Sequence, residues 1–289
     1  MRKAGTLWWL GVFGALFSAG CGSNAKPEAQ ALTTPVAPVA QLEGKLEVTG
    51  SSTVAPVVLE AAKRFEKLHP AVRINVQTGG SSRGVADPQK GIADIGMASR
   101  ALKEDEAKTV VAHLIALDGI CVILHKTNRV ENLSDEQVMG IYLGKWTNWK
   151  DVGGRDAPIT VVNKAEGRST LELFAHYFKL KTAEIKASVI IGDNEQGIKT
   201  VAGNPDAIGY VSIGSAEYAA AQGTNIKLLP MNGIAASVEN VRNKTFPLSR
   251  PLNLVTLPDP NGLKKAFIDY VQSEQVEDLV KELSFVPVR

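Results

Sequence analysis

From residue 46 onward, apolar positions fall into short strand-like runs separated by helical stripes. Residues 46–49 read as a strand and 50–53 as a tight loop. Then Val54, Val57, Val58, Ala61, Ala62, Phe65 and Leu68 recur at three- and four-residue spacing, which predicts a helix with one buried face. This helix stops before Pro70, because proline disfavours helical backbone in the residue that precedes it, and His69 marks its end. In residues 72–77, Val72, Ile74 and Val76 alternate with polar positions, as in a half-buried strand. A Gly/Ser loop follows at 79–83. Further strand-like segments lie at 93–97, 119–124, 159–162, 189–191, 208–211 and 251–257, with helical stretches at 170–178 and 263–283. Alternation of this kind predicts an α/β protein with largely parallel sheets covered by helices, its ligands at the carboxyl ends of strands. The lengths suit two lobes, residues 45–123 with 250–289 and residues 124–249, the final helix returning to the first lobe.

The first 44 residues do not share this pattern. Arg2 and Lys3 precede an apolar run from Leu7 to Phe17, then Ser18, Ala19, Gly20 and Cys21. A basic start, a short apolar core and small residues define an export signal, and the core is shorter than the ~20 residues a membrane-spanning helix needs. The small residues ending in Cys21 resemble the bacterial lipobox, in which the Cys is acylated and becomes the mature N-terminus. The match departs at Ser18, where Leu is usual; Leu16 stands two positions earlier. Residues 22–44 are rich in Ala, Pro, Thr, Gln and Ser, too polar to offset the entropy of ordering, and read as a tether.

Composition narrows the function. Lys and Arg number 32 against 30 Asp and Glu, so the chain lacks the basic excess of a nucleic-acid binder. The two cysteines fall one in the leader and one in the body, and the four histidines are scattered, so neither a disulfide nor a metal site is expected. Cys121 lies in an apolar run and reads as inert core; Trp146 and Trp149 read as packing residues. No Ser/His/Asp arrangement stands out, and the chain is read as a binding protein with no catalytic residue and no cofactor.

One design recurs. Gly50-Ser51-Ser52-Thr53 precedes the helix starting near Val54. Gly79-Gly80-Ser81-Ser82-Arg83-Gly84 precedes a short helix that Pro88 limits. Glu166-Gly167-Arg168-Ser169-Thr170 precedes a third helix. The first N–H groups of a helix lack internal partners and carry the positive end of its dipole, so an anion there gains hydrogen bonds without a mobile cation. Glycine admits close approach, and hydroxyls add donors that rotate to suit. Each loop alone reads equally as an ordinary N-cap. Three together can surround a tetrahedral oxyanion.

These loops are where the sequence resembles the phosphate-binding proteins of bacterial phosphate ABC importers. The similarity spans nearly the whole mature chain and rests on VTGSSTVAPV (48–57), TGGSSRGV (78–85), ADIGMASR (93–100), WTNWKDVGG (146–154), NKAEGRSTLELF (163–174), AIGYV (207–211) and PLSRPLNLVT (247–256). The resemblance implies a two-lobed periplasmic-binding-protein fold, mixed sheets flanked by helices, with phosphate in the cleft between lobes. It also implies a monomer held to a bacterial membrane through Cys21, outside the cytoplasm, that passes inorganic phosphate to ABC importer permease subunits. Carried over by motif, the anion meets Ser52, Thr53 and the N–H of Val54, then Ser81 and Ser82, then Ser169 and Thr170, with Arg100 and Arg168 as cations. Two departures matter. The best-studied family pattern has an acidic residue in place of Arg100, and Arg followed by Ser-Gly-Thr where this chain has Lys164 and Arg168-Ser169-Thr170. The acidic residue accepts a proton from phosphate and so rejects sulfate, which arginine has no acceptor to do. Asp94 and Glu166 are the acidic candidates left for that role, Asp94 with a competing use as a cap or turn residue. Another oxyanion, such as sulfate or molybdate, stays open as the ligand, as does a role as sensor.

Overall fold

The computed structural model of the protein describes residues 42–289; the expected leader, Cys21 and nearly all of the tether lie outside them. The chain runs β1 (Gly44–Gly50), α1 (Ala55–Leu68), β2 (Val72–Thr78), α2 (Ser81–Gln89), β3 (Ile95–Ala98) and β4 (Val111–His125). It continues through α3 (Asp135–Tyr142), β5 (Thr160–Lys164), α4 (Ser169–Tyr177), β6 (Val189–Ile191), α5 (Asn194–Ala202), β7 (Ala207–Ser212) and α6 (Ile213–Ala221). The last elements are β8 (Ile226–Leu228), α7 (Val238–Arg242), β9 (Ser249–Thr256), α8 (Gly262–Val271), α9 (Glu277–Glu282) and β10 (Val286–Pro287).

The strands order as β2-β1-β3-β9-β4-β7-β5-β6, with β8 and β10 paired to β4. The sheet is mixed. β1 is parallel to β2 and β3, and β5 to β6 and β7, each joined through a helix. β9 and β4 run antiparallel to their neighbours and link the two parallel groups. Two long-separated returns of the chain, at β4 and β9, produce this mixture, which local periodicity does not reveal.

The apolar core falls into two large clusters and a small third one of Val85, Ala98, Val110 and Val255. Of the large ones, one gathers Val48, Val57, Phe65, Ile95, Leu254 and Phe267; the other gathers Ile123, Tyr142, Trp149, Phe174, Val201 and Tyr210. β4 serves both: Ile115 and Ala116 enter the first, Ile120–Leu124 the second. Only its inner end shows as an apolar run in sequence; its outer part carries exposed Val111 and half-buried His113 and Leu114. The α1 stripe behaves as expected, burying Val54, Val57, Val58, Ala61, Ala62 and Phe65, while Leu68, the last residue of the helix, is exposed. The helical stretch expected over 263–283 is broken. Ser273 is extended, its hydroxyl donates to the Tyr270 carbonyl, and Gln272 Nε2 donates to Leu114 O, so α8 ends and α9 restarts. The side chains of α8 and α9 still join one core with α1.

The α2 helix sits unusually close to the sheet. A Cβ on Gly84 would collide with Met97 O, and one on Gly96 with Gly84 O. Glycine at these two positions lets the helix start lie directly over the ends of β1 and β3.

Candidate functional site

Capping separates the helices into two kinds. α3, α5, α6 and α7 each receive a side-chain cap from Ser134, Asp193, Ser212 and Ser237. α1, α2, α4, α8 and α9 have none from the residue that precedes them, and of these α1, α2 and α4 carry the hydroxyl-bearing loops. Those three starts meet in one place. The residues at their openings are buried, so their N–H groups and hydroxyls are withheld from solvent while the dipoles point inward.

The meeting point is a knot of hydroxyls. Ser51 Oγ donates to Ser99 Oγ at 2.9 Å, and Ser99 Oγ lies 2.7 Å from Ser169 Oγ. Ser81 Oγ donates to Ser169 Oγ at 3.0 Å and accepts from the Ser99 N–H at 3.0 Å. Each hydroxyl holds one donor and two lone pairs, so the group can bond among itself or rotate its donors toward an anion. Ser51 and Ser99 follow β1 and β3, beside the first core; Ser169 opens α4, beside the second.

Arg250 completes the knot from β9. Its Nη1 donates to Thr170 Oγ1 at 3.0 Å and Ser99 Oγ at 3.4 Å, and its Nη2 to Thr53 Oγ1 at 3.2 Å. Asp118 on β4 holds it from behind, accepting Nε at 3.1 Å and Nη2 at 2.9 Å. The other Asp118 oxygen accepts the Gly214 N–H. Burial lowers the Arg250 pKa and Asp118 offsets this only in part, yet a guanidinium is basic enough to keep its charge in the interior. Asn194, the first residue of α5, donates to Thr53 Oγ1 at 3.0 Å and accepts from Lys164 Nζ at 2.9 Å.

The residues singled out from the sequence divide accordingly. Thr53, Ser81, Ser169 and Thr170 lie in the knot. The N–H of Val54 faces Ser51 Oγ at 3.4 Å, and Ser52 is half-buried alongside. Ser82 links α2 to the far side of the knot: its N–H donates to Gly167 O at 3.2 Å and its hydroxyl to Glu172 at 3.0 Å. Gly80-Ser81-Ser82-Arg83-Gly84 has the spacing of a hydrolase nucleophile elbow, but the Ser82 hydroxyl faces a carboxylate, not the imidazole that would activate it.

Arg100 is held elsewhere. Its guanidinium donates to both oxygens of Glu106 at 2.7 and 2.8 Å and pairs with Glu172 at 3.1 Å. Burial opposes its charge, yet the Glu106 hydrogen bond and the two carboxylate charges outweigh that and raise its pKa. Arg168 stands immediately before α4, its guanidinium beside Gly192 and its Nη1 buried with no hydrogen-bond partner. Asp94 accepts the Glu47 N–H at 2.9 Å, which makes it a structural link to β1 and not the cap or turn residue weighed for it, and Glu166 is exposed. Ser51, Ser99, Arg250, Asp118 and Asn194 went unassigned in sequence. A signal existed for two of them: Asp118 is the one acidic residue of β4 and Arg250 the one charged residue of β9. Asn194 has none, since it reads as an ordinary helix start.

Known proteins resemble this chain over most of its length. The model of the PBP superfamily domain matches residues 29–275. The phosphate-binding protein PstS of Bacillus subtilis (strain 168) is 29% identical over 277 residues, covering 94% of this chain and 90% of that protein. A putative phosphate ABC transporter substrate-binding protein from Clostridium perfringens, solved with bound phosphate, has a TM-score of 0.78 at 34% identity, over 85% of this chain and 100% of that one. An ABC-type phosphate transport receptor from Vibrio cholerae has a TM-score of 0.65 at 30% identity, over 84% and 99%. The chain belongs to the PBP superfamily and, within it, to the phosphate-binding proteins of phosphate ABC transport.

Proposed function

We propose that this chain is an extracytoplasmic solute-binding lipoprotein that captures inorganic phosphate in the hydroxyl knot and delivers it to the permease subunits of an ABC importer. The observation that carries this reading is the convergence of the starts of α1, α2 and α4, none capped by the side chain of the residue that precedes it, on hydroxyls backed by the buried Arg250. Such a site supplies many donors and one fixed positive charge, which suits a small dianion whose oxygens need several hydrogen bonds at once. The relatives' phosphate ligand favours the same class of anion. Of the expected ligands, Thr53, Ser81, Ser169 and Thr170 stand first, with Arg250 taking the part earlier expected of Arg100, and Arg168 Nη1 adding a donor.

In this scheme residues 45–123 with 250–289 form one lobe and residues 124–249 the other, flexing where β4 passes from one core to the other. A ligand that bonds to both lobes shifts the open–closed balance by its preference for the closed form. The released phosphate passes on unchanged, so no nucleophile is needed.

A second reading, capture of sulfate or molybdate, is favoured by one observation. The carboxylate beside the knot, Asp118, is already occupied by Arg250 and the Gly214 N–H, which leaves it little capacity to accept a proton from the ligand.

Calorimetry with phosphate, arsenate, sulfate and molybdate separates the readings. Phosphate and arsenate should bind tightly, and Ser169→Ala should weaken phosphate by roughly tenfold, the effect of losing one hydrogen bond to a charged group. Tight sulfate or molybdate binding with no phosphate binding would overturn the phosphate reading.

A further inference from the structure

Lys164 is a buried cation beside the knot that the capture scheme leaves without a part. It ends β5 and is 3% exposed. Its Nζ donates to Asn194 Oδ1 at 2.9 Å, and the same amide donates to Thr53 Oγ1, which also receives Arg250. One neutral amide therefore separates the amine from a hydroxyl of the knot. The backbone N–H of Lys164 donates to the Tyr210 hydroxyl on β7, and Nζ lies against Gly197 of α5. The charged groups around it are Asp193 before α5, Arg250 on β9 and Arg168 before α4; Glu166, two residues on, is exposed. Two cations thus face the amine against one anion, and its hydrogen-bond partner is uncharged.

We infer that Lys164 matches the charge of the site to its ligand: the amine takes up a proton as a dianionic oxyanion enters the knot, so capture is coupled to proton uptake. This rests on the reading of the knot as an oxyanion site. Burial first, then the charge of Arg250, lower the Lys164 pKa to about 7; Asp193 opposes the shift and Arg168 adds to it. A dianion on the far side of Asn194 supplies the missing negative charge and raises that pKa again. Arginine in this position could not titrate, because its guanidinium never loses its proton under these conditions. Lys164 acts through Asn194, as a positioning and charge-balancing residue.

The sign follows from linkage. Below about pH 7 the amine is already charged, and binding draws no proton. Above that, up to the raised value of the complex, each phosphate bound through this route brings up to about one proton, and affinity falls as pH rises, by as much as tenfold per pH unit.

The test is calorimetry of the intact mature protein with inorganic phosphate, in buffers of different ionisation enthalpy, at about pH 6 and about pH 8.5. Wild type should take up more protons at the higher pH than Lys164→Met or Lys164→Arg does. Phosphate's own titration is common to all three proteins and cancels in that difference. Lys164→Arg retains a cation and guards against a loss of folding in Lys164→Met, which circular dichroism would reveal. Phosphate binding with the same proton uptake in wild type and Lys164→Arg would overturn the coupling alone. No phosphate binding by wild type would overturn the capture reading, and the coupling with it.

Discussion

At the residue scale, the site depends on one charge pair more than on any hydroxyl. Arg250 and Asp118 each expose about 1% of their side chains, so their charges have left water and are compensated mainly by each other and by the bonds described above. Removing one partner of such a pair leaves the other charge buried and unmatched, a penalty of about 3–5 kcal/mol. Asp118→Asn should therefore lower stability in urea melts by that order and weaken anion binding as well, because Arg250 loses the carboxylate that aims it. Ser169→Ala should leave stability nearly unchanged and act on binding. A variant pair with the opposite pattern would place the structural burden on the hydroxyls. Asp118 and Arg250 also show how far residues can be read in isolation. Each is a charge within a strand segment, visible in sequence, but their partnership joins residues 132 apart and had to be found in space.

At the element scale, the helix starts are placed by glycine. Gly84 and Gly96 let α2 press onto the sheet, and Gly80 lets the other side of the site approach. Gly80 has φ +95°, and a Cβ there would stand 2.5 Å from Gly167 O, next to the carbonyl that accepts the Ser82 N–H. Gly80→Ala should therefore hold α2 and α4 apart. The expected outcome is phosphate affinity lower by tenfold or more in calorimetry, from backbone strain of about 1–2 kcal/mol added to the clash. Wild-type affinity would show that the two helices need not meet this closely. The Gly/Ser loops were legible because the chemistry of a helix start is local. The break between α8 and α9 was not, because the polar group that stabilises it is Leu114 O on β4, more than 150 residues away.

At the scale of the whole molecule, the proposed anchor decides where capture takes place. Several acyl chains on one cysteine hold a protein firmly to a membrane, whereas a single chain gives only marginal binding. Cys21→Ala should move the protein from the membrane fraction to the soluble extracytoplasmic fraction and leave phosphate affinity unchanged. Retention of the variant on membranes would argue against acylation at Cys21. The two apolar cores give this scale its other feature. β4 runs from one to the other as a continuous strand, with β9 paired to its first half, so in the proposed two-lobe scheme β4 carries the flexing without loss of either core.

The sequence by itself determined the α/β class, the first helix and its end at His69, and the three hydroxyl-bearing loops. These follow from periodicity, proline and the orphan N–H groups of helix starts, all of which act within a few residues. Tertiary structure decided which groups share the site. It directed Arg100 to Glu106 and Glu172, and brought in Arg250, Asp118, Ser99 and Asn194 from distant segments. It also buried Lys164 within reach of the charges of Arg250, Asp193 and Arg168. The physical reason is that charge compensation in an apolar interior depends on distance through space, and separation along the chain does not report that distance.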